Sequence, residues 1–264
     1  MPTNKMLWET IYGSRFKNIL MQKPLLEKNL IDFVDSLRSL GLLKKITSFL
    51  SIGAGAGERE LFLAHKLQIP FGYIDPTVEL TKIFSQKLRE AKLELLLQDE
   101  HFGPFETFKT QHRYDLIFAL HSWYYIGANE RALRNVLSLL TEKGHLYIVM
   151  IPSNTFTVTL SKQFGSHASD VNFLFSNGFS VWAKKKGYNH KYQEKEVEFN
   201  IQAFLEKKKF TSYGKAWIAY MLRQDWNTIS VQKRKQIKDF FLDYQKNGMT
   251  RETIGSLIFC KGRR

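Results

Sequence analysis

FLSIGAGAGE, residues 49–58, is the stretch that decides the fold of this chain. An apolar strand runs directly into glycines at alternate positions, and a helical pattern follows. Glycine has no side chain, so its N–H group can approach a ligand closely and its backbone can take angles that other residues avoid. The next apolar run ends at Asp75, whose carboxylate can accept two hydroxyl hydrogen bonds from a ribose. These features predict a nucleoside-containing cofactor at the carboxyl edge of a parallel sheet.

Strand and helix patterns alternate along most of the chain. Strands are predicted at residues 46–52, 71–74, 93–97, 114–120, 144–151, 179–184 and 253–260, and helices at 58–67, 77–91, 129–140 and 169–177. The run at 114–120 is almost entirely apolar, as expected for a strand that is covered on both faces. The alternation predicts an α/β fold with a doubly wound, mostly parallel, seven-stranded sheet.

Helical spacing of apolar residues also marks the two ends of the predicted core. We expect four segments: an N-terminal helical cap at 1–45, an α/β core at 46–196, a helical insert at 197–248 and a closing strand of the core at 249–264. The insert precedes the last strand, so we expect it to form a lid over the carboxyl edge, in the substrate region.

The charge of the chain is strongly basic, with a formal net charge of +14 over 264 residues. Such a charge attracts nucleic acid, anionic membranes or acidic proteins. The basic residues are dispersed, however, so we interpret them as solvated helix faces and loops. A nucleic-acid partner stays open as the less favoured alternative. The sequence does not determine the oligomeric state, and we favour a monomer.

The sequence also bears on where the protein works. No apolar run reaches the length of about 20 residues that spans a bilayer, so we expect no membrane span. The first eight residues lack the apolar region of a secretory signal. Cys260 is the only cysteine, so no intramolecular disulfide can form. We therefore expect a cytoplasmic protein.

The glycine spacing favours a cofactor that has no phosphate. Glycines at 53, 55 and 57 give G-x-G-x-G, whereas the dinucleotide pattern is G-x-G-x-x-G, and the Lys-Ser/Thr of a phosphate-binding loop is missing. Glu58 and Glu60 at the helix start would repel a phosphate. A cofactor with a cationic centre fits better, and S-adenosylmethionine is such a cofactor. The alternative is a tight strand–helix turn that binds no ligand.

Several motifs carry a resemblance to known families. The glycine stretch, followed by IDPT at 74–77, resembles class I S-adenosylmethionine-dependent methyltransferases. LHSWYYI at 120–126, KQFGS at 162–166 and TIGSLI at 253–258 look like the histamine N-methyltransferase family. The resemblance runs over most of the chain, including the insert. It implies a Rossmann-like fold and methyl transfer from S-adenosyl-L-methionine to a small amine or imidazole-like molecule.

The resemblance implies that the cofactor contacts lie at the ends of the first four strands. They are Gly53, Ala54, Gly55, Gly57, Asp75, Pro76, Gln98, Asp99, Phe102 and Leu120. The glycines would pack against the methionine and ribose, and Asp75 would bind the ribose hydroxyls. Gln98, Asp99 and Phe102 would follow the third strand and flank the adenine. Two alternatives remain open: Asp75 as a turn or helix-cap aspartate, and Asp99 as a solvated loop residue.

By the same resemblance, two residues after the fourth strand are the catalytic candidates, His121 and Tyr125. His121 takes the place of a glutamine that faces the substrate amine in the family. Imidazole has a pKa of about 6.5, so His121 can accept a proton from the acceptor. The expected substrate contacts are Trp8, Tyr12, Phe16, His121, Tyr125, Phe156 and Thr253. The alternative for His121 is a histidine that caps the strand end.

Some family positions differ in this chain. Leu25 stands where the family has an acid, and Glu27 is the nearest carboxylate. Thr253 replaces an asparagine, and Leu80 replaces a polar cofactor contact. Specificity for a polar ligand depends on paired buried groups. We therefore do not expect histamine itself to be the substrate.

Two other functions stay open. One is a methyltransferase that acts on RNA or protein, and the other is a non-catalytic module that binds S-adenosylmethionine. A steep loss of binding with salt would favour nucleic acid, and binding without turnover would favour the module. We expect no metal site, because the histidines lack partners at ligand spacing.

Overall fold

The computed structural model describes residues 23–44, 46–165, 175–198, 203–222, 224–246 and 251–261. Its strands are β1 (Phe49–Ile52), β2 (Phe71–Ile74), β3 (Leu97–His101), β4 (Tyr114–Leu120), β5 (Leu140–Met150), β6 (His190–Glu198), β7 (Leu205–Glu206), β8 (Lys209–Phe210) and β9 (Arg251–Cys260). Its helices are α1 (Lys23–Ser39), α2 (Glu58–Leu67), α3 (Val78–Glu90), α4 (Glu130–Ser138), α5 (Phe156–Phe164), α6 (Ser176–Lys185), α7 (Ser212–Leu222) and α8 (Val231–Lys246).

Seven of these strands form one sheet in the order β3-β2-β1-β4-β5-β9-β6. β1 pairs in parallel with β2 and with β4, and the parallel pairing continues from β2 to β3 and from β4 to β5. β9 runs antiparallel to β5. The predicted fold class, a doubly wound and mostly parallel seven-stranded sheet, is confirmed. The helices α7 and α8 lie between β6 and β9 in the chain, as predicted for an insert before the last strand.

One face of the sheet is packed with aromatic rings. Phe49 of β1 stacks on Phe71 of β2 and on Phe118 of β4, with ring centroids 5.3 and 5.6 Å apart. Phe33 of α1 contacts Phe118 edge-on, and Phe84 of α3 contacts Phe71 in the same way. The two helices therefore cover this face by burying aromatic surface, which is a major source of stability.

The opposite face carries α4 and α6. α4 begins after Asn129, whose side chain accepts a hydrogen bond from the Ala132 N–H and so caps the helix. Leu133 of α4 and Phe179 of α6 are fully buried, and Phe179 contacts Trp123. Because both faces are covered, the central strands are apolar on both sides.

The chain divides into two compact units. The core unit comprises residues 24–150, 173–193 and 255–264, and the helical unit includes residues 151–172 and 194–254. The helical unit has its own apolar centre, made by Phe156, Leu160, Phe164, Phe204, Leu205, Ile218, Leu222, Ile229, Ile237 and Phe241. Within the described residues, no helix is both long and apolar enough to cross a membrane. The predicted lid position of the insert stays a prediction.

Two predicted strands were wrong. The run at 93–97 forms a 3₁₀ turn at Glu94–Leu96, and β3 follows it. The run at 179–184 belongs to the helix α6, and the sixth strand of the chain is His190–Glu198. Both true strands lie at the edges of the sheet and are rich in polar residues, which is how proteins protect sheet edges from pairing with other chains. The helix predicted at 169–177 falls mostly outside the described residues.

Candidate functional site

The three glycines after β1 all have left-handed backbone angles, with φ of 72° at Gly53, 61° at Gly55 and 74° at Gly57. Two of them are also enclosed. A Cβ atom on Gly53 would lie 2.2 Å from Ser122 Cβ, and one on Gly57 would lie 2.3 Å from Phe84 Cδ2. Gly53 and Gly57 are therefore required by the packing of the protein itself.

Gly55 differs from its two neighbours because the described residues leave the space beside it open. A Cβ atom there would approach only Leu80 Cδ1, at 3.9 Å. The Tyr73 hydroxyl donates a hydrogen bond to the Gly55 carbonyl oxygen and so fixes the position of the loop. Gly55 is thus the position at which a ligand can come close to the backbone, and this open cradle fits a cofactor.

Asp75 anchors the same loop from the end of β2. Its Oδ2 accepts a hydrogen bond from Gly55 N at 2.7 Å, and its Oδ1 accepts one from Thr77 N at 2.8 Å. Asp75 is only 5% exposed, and burial raises the pKa of its carboxyl, although the N–H groups of Thr77 and Gly55 act against that rise. The Thr77 side chain also donates to this carboxylate, so of its about four acceptor sites at least one remains for a ligand. The turn role left open from the sequence is present, and ribose binding stays a prediction.

The two glutamates at the start of α2 are both engaged. Glu58 forms an ion pair with Lys87 of α3. Glu60 is 3% exposed and accepts a hydrogen bond from Ser51 Oγ at 2.6 Å. Burial raises the pKa of Glu60 to about 7, against the effect of the Ser51 hydrogen bond.

His121 directly follows β4 and has a left-handed backbone with φ of 55°. Its N–H donates to the Val149 carbonyl oxygen at 2.9 Å, and its Nδ1 lies 3.4 Å from the Tyr124 hydroxyl oxygen. Desolvation by the protein lowers the pKa of His121 below its usual value, and the charge of Arg59 acts in the same direction, so the imidazole is neutral at pH 7.

The end of β4 lies against the glycine loop through Ser122. Ser122 Oγ donates a hydrogen bond to the Ile52 carbonyl oxygen at 2.6 Å, and its Cβ faces Gly53. Leu120, the last residue of β4, pairs with Val149. Tyr125 is 58% exposed and ends the 3₁₀ turn that follows Ser122. The structure therefore brings the end of β4 and the first glycine together.

The residues of the third strand require a correction. Gln98 and Asp99 lie within β3 and not after it, so their predicted place in the loop was wrong. The Asp99 carboxylate accepts hydrogen bonds from the side chains of Thr110 and Tyr114. Phe102 does follow β3, is 53% exposed and contacts Tyr73 edge-on. Phe102 stays a candidate for the adenine.

The predicted substrate residues are placed less clearly. Trp8, Tyr12 and Phe16 lie outside the described residues. Phe156 is buried in the helical unit, where its ring contacts Phe240 and Tyr244. Its prediction as a pocket residue is corrected, because the ring packs in an apolar core. Thr253 lies in β9.

Sequence reasoning missed Ser122, Tyr73 and Ser51 as parts of the site. Ser51 and Tyr73 belong to apolar strands whose residues are all buried, and hydrophobic patterning does not distinguish a core residue from one that also contacts the loop. A signal was available for Ser122. A residue that packs against a glycine must be small. Ser122 meets this condition, because it closely follows β4, the strand that pairs with β1.

The fold is that of the class I S-adenosylmethionine-dependent methyltransferases. One solved structure of this fold is a methyltransferase from Thiobacillus denitrificans in complex with S-adenosylhomocysteine. It covers 99% of this chain and 100% of its own, with a TM-score of 0.55 and 15% identity. Another is coclaurine N-methyltransferase bound to N-methylheliamine and S-adenosylhomocysteine, with a TM-score of 0.55, 12% identity, and coverage of 88% of this chain and 72% of its own.

Among curated proteins, histamine N-methyltransferase A of Xenopus laevis is 28% identical to this chain over 144 residues. The matched segment covers 48% of this chain and 48% of that relative, so the match spans about half the length of the relative. No protein-family model matches the chain.

Proposed function

We propose that this chain is an S-adenosylmethionine-dependent methyltransferase that methylates nitrogen in a small amine or imidazole-like molecule. The observation that carries the proposal is the open space at Gly55 beside the Asp75 carboxylate, at a loop with no phosphate-binding group. The similarity in part of the chain to a histamine N-methyltransferase, and in fold to coclaurine N-methyltransferase, supports the reaction type.

Gly55, Asp75, Phe102 and Leu120 are the residues that would hold the cofactor. The bound cofactor supplies an electrophilic methyl group on a sulfonium centre. The protein contributes position and exclusion of water. Asp75 keeps a lone pair for a ribose hydroxyl, and the exposed ring of Phe102 offers an apolar surface to the adenine.

His121 is the residue we assign to proton transfer. A nitrogen acceptor must have a lone pair for the methyl group, and it loses a proton as the new bond forms. In the proposed arrangement, His121 Nδ1–H donates to the Tyr124 hydroxyl oxygen, and the lone pair on Nε2 takes that proton. The imidazole is neutral at pH 7, so its Nε2 lone pair is available for that proton, but its lowered pKa makes it a weak base.

The test is a transfer assay with S-adenosylmethionine that carries a labelled methyl group. The panel contains small amines, imidazoles, RNA and basic proteins. We expect label in at least one amine or imidazole. Label only in RNA or protein contradicts the proposed substrate class, and saturable binding with no transfer to any acceptor contradicts the enzyme.

The variant His121→Ala tests the proton step. We expect turnover to fall by about 100-fold, the lower range for loss of a general base. Cofactor affinity by calorimetry should stay close to the wild-type value. A wild-type rate would remove His121 from the mechanism.

A further inference from the structure

Three consecutive lysines, Lys207, Lys208 and Lys209, lie at the tip of the hairpin that β7 and β8 form within the helical unit. Glu206 pairs with Lys209 in this hairpin, so Lys207 and Lys208 make a two-residue turn. All three lysines are exposed. Most basic residues of the chain are dispersed, whereas the hairpin holds these three positive charges next to one another.

The backbone of this turn is unfavourable for lysine. Lys207 has a φ of 46° and Lys208 a φ of 60°, so both lie in the left-handed region. Two-residue turns of this kind strongly prefer asparagine and glycine, because the β-carbon of other residues is strained there. Like charges at adjacent positions also repel each other. Strained residues other than glycine cluster at functional sites, and a bound anion would reduce the repulsion between these lysines.

An aromatic ring and a guanidinium group lie next to the lysines. The ring of Phe210, which directly follows Lys209, contacts Trp226 edge-on, with ring centroids 5.2 Å apart. The guanidinium of Arg234 lies over the Trp226 ring, 5.1 Å from its centroid. Its Nη2 donates a hydrogen bond to the Asn227 carbonyl oxygen at 3.1 Å, which fixes the group. Trp226 and Arg234 are both half-buried, and such groups stack on nucleobases.

The charges around this surface are mostly positive. Two carboxylates belong to it: Glu206, which lies opposite Lys209 in the hairpin, and Asp225, which directly precedes Trp226. Asp225 accepts a hydrogen bond from Asn227 N at 2.8 Å. Against these two carboxylates stand four cations, the three lysines and Arg234. The surface therefore attracts an anion.

The packing of the hairpin favours one kind of polyanion. Leu205 is buried, and Phe210 contacts Phe241. These apolar side chains thus pack against the protein, whereas a protein that binds a bilayer surface presents apolar side chains to it. The carboxylates of an acidic protein would use the lysines but not the stack of Trp226 and Arg234. A nucleic acid offers both phosphates and flat bases, so it matches both parts of the surface.

We propose that the hairpin surface, formed by Lys207, Lys208, Lys209, Trp226 and Arg234, binds single-stranded nucleic acid. The lysines contact phosphates, and a base stacks on the paired Trp226 and Arg234. Binding is independent of sequence, because phosphates carry no sequence information and every base has a flat face. The inference does not rest on the proposed function, since the nucleic acid is a bound partner and not the methyl acceptor.

The test is fluorescence anisotropy of a labelled single strand of about 12 nucleotides, as RNA and as DNA, titrated with the full chain at several salt concentrations. We expect saturable binding to at least one of the two strands. The logarithm of the affinity should fall by about 2 per tenfold rise in salt, since each of three neutralised phosphates contributes about 0.7. A wild type that binds neither strand overturns the proposal.

A double variant removes charge from the turn without straining it. Lys207→Asn with Lys208→Gly introduces the pair that this turn prefers, so its denaturant midpoint should not fall below that of the wild type. Its affinity at about 0.1 M salt should fall by about 20-fold, and its salt slope by about 1.4. The matched control is Lys184→Gln with Lys185→Gln, which removes two exposed charges at the end of α6. The control should bind like the wild type.

The outcomes separate the hairpin surface from general charge. If both double variants weaken binding equally, net charge alone explains it and the proposal is wrong. Equal affinity for polyglutamate or for phosphatidylserine vesicles at the same salt also overturns it, because the stack then contributes nothing. Methyl transfer to a small acceptor should not change in the hairpin variant, so this proposal and the proposed function fail independently.

Trp226→Leu tests the stack by itself. It should weaken binding of the single strand by about tenfold, within the usual range for one stacked base. Binding to a duplex of the same length should stay at the wild-type value, since paired bases do not leave their own stack. If Trp226→Leu binds the single strand as tightly as the wild type, the assignment of a base to this surface is wrong.

Discussion

Two aspartates on neighbouring strands of the sheet show the contrast between a structural cluster and the proposed binding site. Asp99 of β3 accepts hydrogen bonds from side chains, those of Thr110 and of Tyr114 at the start of β4. Asp75, at the end of β2, accepts hydrogen bonds from backbone N–H groups, those of Gly55 and Thr77. Both carboxylates are largely enclosed.

The difference lies in what surrounds each carboxylate. The partners of Asp99 connect β3 to the start of β4, and space near them is filled, since a Cβ on Gly72 would lie 2.7 Å from the Tyr114 hydroxyl oxygen. Asp75 instead contacts a loop residue, Gly55, beside which the described residues leave open space. Burial and hydrogen bonding are common to both carboxylates, so we base the proposed site on the accessible backbone next to Asp75.

The largest expected effect separates the enclosed glycine from the open one. Gly53→Ala combines a left-handed backbone with a clash against Ser122, so we expect about 2–5 kcal/mol loss of unfolding free energy. Gly55→Ala meets no such clash and should lose about 1 kcal/mol from its backbone angle. Denaturant unfolding of the two variants measures the difference.

Cofactor affinity should show the opposite order: among folded molecules, Gly55→Ala should weaken cofactor binding more than Gly53→Ala. A methyl group on Gly55 occupies the space where the ligand approaches, so affinity should fall by about tenfold or more, a loss of about 1.4 kcal/mol or more of binding free energy. Equal affinity in wild type and Gly55→Ala would contradict the assignment of that space to a ligand.

The next test compares the two aspartates directly. Asp75→Ala should weaken cofactor binding by about 1–3 kcal/mol, as for loss of a partner from a buried polar contact. Asp99→Ala should lower the unfolding free energy by a similar amount, about 1–3 kcal/mol, because the Tyr114 hydroxyl loses its acceptor. Its cofactor affinity should stay near the wild-type value. Calorimetry and denaturant unfolding of both variants check the prediction; a loss of cofactor affinity in Asp99→Ala would remove the contrast.

The smallest effect concerns the two tyrosines that support these groups. Tyr73→Phe removes the donor to the Gly55 carbonyl oxygen, and Tyr114→Phe removes a donor to Asp99. Each should cost about 1 kcal/mol of stability, the usual net value of one hydrogen bond. Only Tyr73→Phe should also weaken the cofactor, by a few-fold. If the two variants bind equally well, the loop is held without Tyr73.

The interior of the fold could be predicted from the sequence, and its edges could not. The predicted bounds of α2, β2 and β4 match the structure, because glycines delimit the first and strong burial marks the other two. The edge strands β3 and β6 are polar, so no apolar run indicates them. The run at 179–184 was misread because its alternating apolar residues suit a strand as well as a helix.

The candidate site, like the fold, could be predicted only in part from the sequence. The positions of the glycine loop, Asp75 and His121 at the ends of strands could be predicted, because glycine spacing and strand ends are visible in the sequence. The roles of Tyr73 and Ser122 depend on contacts across 18 and 70 positions of the chain. Such contacts follow from strand order and register, which a single sequence does not contain.

A crystal structure of the full chain with S-adenosylhomocysteine tests the central claim most directly. The account predicts the nucleoside above the Gly55 Cα, with a ribose hydroxyl within about 3.2 Å of an Asp75 oxygen, the upper limit of a good hydrogen bond. A complex in which the ligand lies elsewhere, with the space at Gly55 unfilled, would contradict it.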